Sequence, residues 1–195
     1  MAQRIILGID PGSRHTGFAI LVEQDGKFSV EECEVIHTYK LEDHTARLQQ
    51  IFEELSNILT KYNPDSCAVE TPVYGIDPLA MLKLGRAQAA AILAITNRGI
   101  PVSEYYPKAV KKSITGNGNA SKKQVAYMLE KMISIPSVSK LSEDATDALA
   151  VAWCHASKLN SPAGSSGKKQ HQNNKKSSWS EFVADNPDRI RRGST

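Results

Sequence analysis

Four acidic side chains stand where ordinary surface acids seldom do. Asp10 follows Ile5-Ile6-Leu7-Gly8-Ile9 and precedes Pro11-Gly12, so it projects from the end of a central strand into a tight turn. Glu70 does the same after Cys67-Ala68-Val69. Asp144 and Asp147 open a helical pattern three residues apart, about 60° around the axis and roughly 4.5 Å along it, on one side. Carboxylates gathered at one sheet edge repel one another and resist burial. A divalent cation resolves that conflict. Hard oxygen ligands with no His or Cys beside them select Mg²⁺, with Mn²⁺ as the alternative. Two such ions roughly 4 Å apart suit in-line attack on a phosphodiester, one activating water and the other stabilising the leaving oxygen. Asp10, Glu70, Asp144 and Asp147 are therefore the candidate catalytic and metal-binding residues. Singly, Asp144 reads as an acid complementing a helix dipole and Asp10 as a turn former; the metal reading rests on the set.

The elements that must position these acids follow from pattern. Residues 4–10, 18–22 and 28–37 are short strands separated by turn residues, a meander. From 43 to 60, Leu48, Ile51, Phe52, Leu55, Ile58 and Leu59 form one stripe of an amphipathic helix, stopped by Asn63-Pro64. Residues 66–70 are a short buried strand. Asp77-Pro78 opens a helix running to about Arg98, whose second half is apolar all round and so is either fully buried or shared with another subunit. A strand at 101–106 and a short helix at 107–114 come next. Ser121 and Gln124 form a capping box for a helix to about Ile133, and Ser142 caps a last one over 143–158.

Charge is distributed unevenly. The whole chain is +3, yet residues 160–195 carry seven cations against three anions, and residues 1–159 are −1. Between Glu104 and Lys131, Lys108, Lys111, Lys112, Lys122, Lys123 and Lys131 face two acids, so this stretch alone is +4. That excludes a uniformly basic nucleic-acid coat, because an anionic partner must be met by a local cluster. The apolar run at 87–95 is about half the roughly 20 residues a membrane span needs, and Ile5 to Leu7 is too short for a signal sequence. No membrane association is expected. Cys33, Cys67 and Cys154 read as buried thiols in a reducing cytoplasm. After Leu159 the composition turns to Ser, Gly, Lys, Gln and Asn, expected to be a disordered polar, basic tail over 160–195 behind a single domain over 1–159.

Gly8-Ile9-Asp10-Pro11-Gly12-Ser13 with Thr16-Gly17, then Val69-Glu70, Leu82-Lys83-Leu84-Gly85 and Asp144-Ala145-Thr146-Asp147-Ala148-Leu149-Ala150, resemble the RuvC family of bacterial Holliday junction resolvases. The resemblance runs from residue 4 to about 158, in order and at family-like spacing. It implies an α/β, ribonuclease-H-like fold: a mixed five-stranded sheet (βββαβαβ plus C-terminal helices) flanked by helices. It also implies a homodimer, Mg²⁺-dependent paired nicking of four-way junction DNA in recombination and repair, and work beside the branch-migration proteins RuvA and RuvB. The four acids would then be the site. Rival readings are another ribonuclease-H-like nuclease acting on RNA–DNA hybrids, and a non-catalytic junction-binding protein that needs only the lysines.

Lys111 and Lys122 flank Gly116-Asn117-Gly118-Asn119-Ala120-Ser121, a loop entering a helix N-terminus that offers N–H groups to phosphate. In the resemblance they occupy DNA-contacting positions. Lys108, Lys112 and Lys123 join them as candidate DNA-binding residues. The resemblance also places an aromatic in the loop after Glu70 to stack on bases; Val73 stands at its position, and Tyr74, one residue on, either takes the stacking role or supports the loop. His155 lies roughly 12–16 Å along its helix from the two aspartates and cannot share their ion. His15 lies in the turn after Asp10, either near the phosphate or as a polar turn residue.

Overall fold

In a computed structural model of the chain, residues 3–73, 75, 77–133 and 141–160 are described below. Tyr74 and the 160–195 tail beyond Asn160, both singled out above, lie outside the described residues.

Five strands form one mixed sheet in the order β3-β2-β1-β4-β5: β1 (Arg4–Asp10), β2 (His15–Gln24), β3 (Lys27–His37), β4 (Ser66–Glu70) and β5 (Val102–Tyr105). The first three pair antiparallel, and β1, β4 and β5 run parallel. Among the described residues, five helices flank the sheet: α1 (His44–Tyr62), α2 (Pro78–Thr96), α3 (Pro107–Thr115), α4 (Lys122–Met132) and α5 (Glu143–Leu159). Strand β2 begins at His15 rather than at Phe18, because Thr16 and Gly17 pair with Ile36 and Val35 of β3 while Gly17 also faces Asp10. That register is tertiary and leaves no local periodicity.

Strand alternation sorts the core into two layers. Leu7 and Ile9 of β1 and Cys67 and Val69 of β4 face α1 and α2; Ile6, Ala19, Leu21 and Ala68 face α3, α4 and α5. The same alternation gives Asp10 and Glu70, two residues beyond Gly8 and Ala68, to the α5 side. Caps set the helix starts. Asp43 accepts from the Ala46 N–H, Asp77 from Leu79 and Ala80, and Ser142 from Ala145, while Ser121 and Gln124 close the capping box at α4. Asn63 ends α1 in the left-handed region at φ 44°.

Two glycines decide how closely α5 approaches the sheet. A methyl group on Gly8 would overlap the Ala148 carbonyl oxygen and stand 2.6 Å from the Ala152 nitrogen, and one on Gly17 would overlap the Asp144 carbonyl. The helix therefore rests backbone against backbone on β1 and β2. Ala145, Ala148 and Ala152 continue the small-residue surface on its side.

One expectation, for Cys33, needs correction, and α2 adds two observations. Cys33 is only partly buried, its thiol donating to the Ala145 carbonyl oxygen at 3.2 Å, whereas Cys67 and Cys154 are buried. The apolar helix α2 is not enclosed: it packs on α1 and β4, but Leu79, Leu82 and Leu93 are 59, 51 and 60% exposed. By length and composition α2 would also suffice to cross a membrane, which the run at 87–95 did not suggest; it carries Lys83 and Arg86 and forms a layer of the fold.

Candidate active site

The register places the acids side by side. Ile9 pairs with Val69 in parallel and Asp10 pairs with Gly17, so Glu70, Asp10 and Gly17 follow one another across the ends of β4, β1 and β2. Adjacent strands are about 4.8 Å apart, which puts the two carboxyl groups within reach of one another. Asp144 stands over Gly17 in the first turn of α5, and Asp147 is one turn further along. All four are half-buried.

Their electrostatics record the crowding. Burial first, and then the charges of Asp147 and Asp144, push the Asp10 carboxyl up to about 6. Glu70 rises to about 8, through burial first and then Asp10 and Asp147. A side-chain hydrogen bond between the two lowers Asp10 and raises Glu70, as when a protonated Glu70 donates to an ionised Asp10. Lys122, at the start of α4, brings a cation into the group: its Nζ lies 2.6 Å from Asp147 Oδ2 and 3.4 Å from Glu143 Oε2. As the side chains stand, no three His, Cys, Asp or Glu among the described residues are gathered tightly enough to hold one ion. Asp10 is turned to Glu70 and Asp147 to Lys122.

The donor set nevertheless fits a hard divalent cation. Four carboxylates supply only oxygen, burial and repulsion among the acids hold Asp10 and Glu70 above the ordinary carboxylate range, and among the described residues no thiol or imidazole competes. His155 is engaged elsewhere, its Nδ1 2.8 Å from the Tyr105 hydroxyl and its Nε2 3.0 Å from Ser66 Oγ, bridging α5 to β4 and β5. His15 begins β2 with its Nδ1 3.1 Å from Nδ1 of His37.

The predicted lysines divide. Lys122 meets the acids directly, and Lys123 joins it in lining a cavity of about 150 Å³ with Asp147 and Thr146. Lys108, Lys111 and Lys112 lie on α3, which packs on α5, and have no side-chain hydrogen bond or ion pair among the described residues. Sequence reasoning named Lys122 as a DNA contact but not its pairing with Asp147. It also passed over a cavity on the other side of the sheet, lined by Arg14, His44, Arg47 and Lys83.

The sequence pattern of "Crossover junction endodeoxyribonuclease RuvC" matches residues 6–155. The chain belongs to the RuvC family. A RuvC protein from Salinibacter ruber is 45% identical over 186 residues, covering 95% of this chain and 98% of that one. The solved Thermus thermophilus RuvC in complex with a Holliday junction substrate superposes with a TM-score of 0.73 at 30% identity, over 80% of this chain and 94% of that one. The yeast mitochondrial resolvase Ydc2 shares the fold, with a TM-score of 0.59 at 18% identity over 80% of each chain. The fold is thus the ribonuclease-H-like α/β architecture of RuvC, and the family's enzymes are metal-dependent endodeoxyribonucleases.

Proposed function

We propose that this chain resolves four-way DNA junctions by hydrolysing one phosphodiester in each of two opposed strands, in homologous recombination and repair. The observation that carries the reading is the convergence of Asp10, Glu70, Asp144 and Asp147 at one sheet edge with Lys122 among them. These four carboxylates would hold two Mg²⁺ ions, with Mn²⁺ as a substitute. When bound, such a pair supplies an activated water and stabilises the leaving oxygen. Asp10 and Glu70 would hold such ions as carboxylates, joined by Asp144 and by Asp147, which here pairs with Lys122. Lys122 would offer its ammonium to the scissile phosphate, with Lys123 beside it and Lys108, Lys111 and Lys112 along the flanking backbone.

A homodimer gives the paired cut. The exposed stripe Leu79, Leu82 and Leu93 on α2, with Gly85 and Ala89 between them on the same face, suits a second copy of the helix. Among the described residues nothing lies near the position of Gly85's missing Cβ, so their packing does not require a glycine there. Two-fold symmetry in the protein then matches near-two-fold symmetry in the junction. The protein would work in the cytoplasm with RuvA and RuvB.

The test is nicking of a synthetic four-way junction in Mg²⁺, beside linear duplex and an RNA–DNA hybrid. Symmetric nicks in the junction, reduced on the order of 10³-fold or more in Asp10→Asn, are expected. Preferential cutting of the hybrid would replace this reading by the hybrid-nuclease one. Binding without cutting would leave a junction-binding protein.

A further inference from the structure

A second cluster of basic residues lies on the α1–α2 side of the same sheet edge. Arg14, four residues beyond Asp10, lines a cavity of about 550 Å³ with His44, Arg47 and Lys83. The cavity sits where the turn after β1 meets the starts of α1 and α2, whereas the acids sit on the α5 side of those strand ends. Arg14 and Lys83 have no side-chain hydrogen bond or ion pair among the described residues, and Arg47 uses only its Nε, donating to the Leu41 carbonyl oxygen at 2.6 Å. Two acids share the lining. Asp77 is spent on the Leu79 and Ala80 N–H groups, and Glu42 is exposed.

The net field there is positive. Burial first, then Arg86, Lys83 and Arg47, hold the His44 imidazole below its ordinary pKa, and Asp43 raises it by less than any of them. A neutral imidazole keeps one N–H to donate. Both ring nitrogens of His44 are shielded from solvent and have no hydrogen-bond partner among the described residues. Unpartnered cations around a donor that lacks an acceptor describe a site short of one anion.

We propose that Arg14, His44, Arg47 and Lys83 form a second phosphate-binding site, which grips the DNA backbone a few nucleotides from the scissile bond on the side opposite the α3–α4 lysines. The inference rests on the junction-nuclease reading. Together the two basic regions bracket the acidic centre, so the cleaved strand is held on both sides of the cut and its phosphate is drawn across the strand ends.

The experiment measures binding of four-way junctions without divalent metal, using junctions that carry a single methylphosphonate at successive positions around the cut. With the native chain, neutralising the gripped phosphate should weaken binding roughly 5-fold or more. In Arg14→Gln/Lys83→Gln that position should become silent. Affinity should fall roughly 10-fold, and the slope of log affinity against log salt should become shallower by about 2. Lys27→Gln/Arg98→Gln removes two cations from the opposite end of the sheet and should leave the profile intact. Among the described residues neither Arg14 nor Lys83 has a side-chain partner to lose, so an unchanged thermal midpoint checks the fold. An unaltered methylphosphonate profile in Arg14→Gln/Lys83→Gln overturns the site, even if overall affinity drops. A native chain that binds linear duplex as well as it binds the junction overturns the functional reading instead, and the profile can still be read on that duplex.

Discussion

Burial first, and then repulsion from neighbouring acids, penalises the ionised forms of Asp10 and Glu70 and pushes their carboxyls up to about 6 and about 8. Both exceed their unfolded values, 3.8 for Asp and 4.5 for Glu, so the folded chain binds more protons than the unfolded one across that interval. The stabilising share is complete below the unfolded values. It is lost as pH rises, Asp10's through about 6 and Glu70's through about 8. In EDTA the thermal midpoint should therefore fall by a few degrees between about pH 7 and 9, and Mg²⁺ should raise it more at the upper end. Scanning fluorimetry with and without Mg²⁺ measures this, and a flat profile in EDTA contradicts the repulsion. That window avoids His155, whose depressed pKa destabilises the fold only as pH falls through its ordinary 6.5. Lys122 supplies a second prediction. Lys122→Met removes the cation that Asp147 now contacts and should strengthen Mn²⁺ binding several-fold by calorimetry, in keeping with the roughly 1 kcal/mol of an exposed ion pair, while weakening junction binding. Weaker Mn²⁺ binding would mean that Lys122 organises the acids instead of competing for them. The acids were legible in the sequence because a carboxylate ending an apolar strand is a local pattern. The Lys122–Asp147 pair was not, since it depends on how α4 lies beside the start of α5.

Helix α5 carries two of the four site acids, Asp144 and Asp147, and its seat on Gly8 and Gly17 sets where they stand. Gly17→Ala drives a methyl into the Asp144 carbonyl and should cost about 1–3 kcal/mol of stability. Assayed well below its melting temperature, the variant should still nick junctions more than about 10-fold slower, because the displaced residue bears a carboxylate. A Gly17→Ala protein that melts early but cuts at the native rate would separate the seat from the site. At this scale, helix starts were readable from their caps, as Asp77, Ser121 and Ser142 illustrate, because capping is local chemistry. The two glycines were recorded as family motif positions, but their purpose became visible only when the helix was laid against the strands. The start of β2 at His15 was hidden for the same reason.

For the whole molecule, the +3 total is a poor guide, since it sums a basic segment over 104–131, basic residues beyond 160 and an acidic remainder. Two divalent ions per site would offset most of that acidity, making DNA affinity dependent on metal. Assembly is the other global property. Leu82→Glu places a charge in the α2 stripe and should give a monomer by analytical ultracentrifugation. Its residual junction cutting should become single nicks in place of paired ones; a dimer that persists would locate the contact elsewhere. Pattern alone left α2 either buried or shared, because an apolar helix reads alike in both settings. The backbone-to-backbone seat of α5 bears on the history of such a chain. At Gly17 backbone alone sets the spacing between Asp144 and the strand ends, so exchanges of leucine, isoleucine and valine in the core layer facing α1 and α2 can shift stability without moving that aspartate. Lineages can thus drift through many interiors, warm-adapted or cold-adapted, while inheriting one cutting geometry.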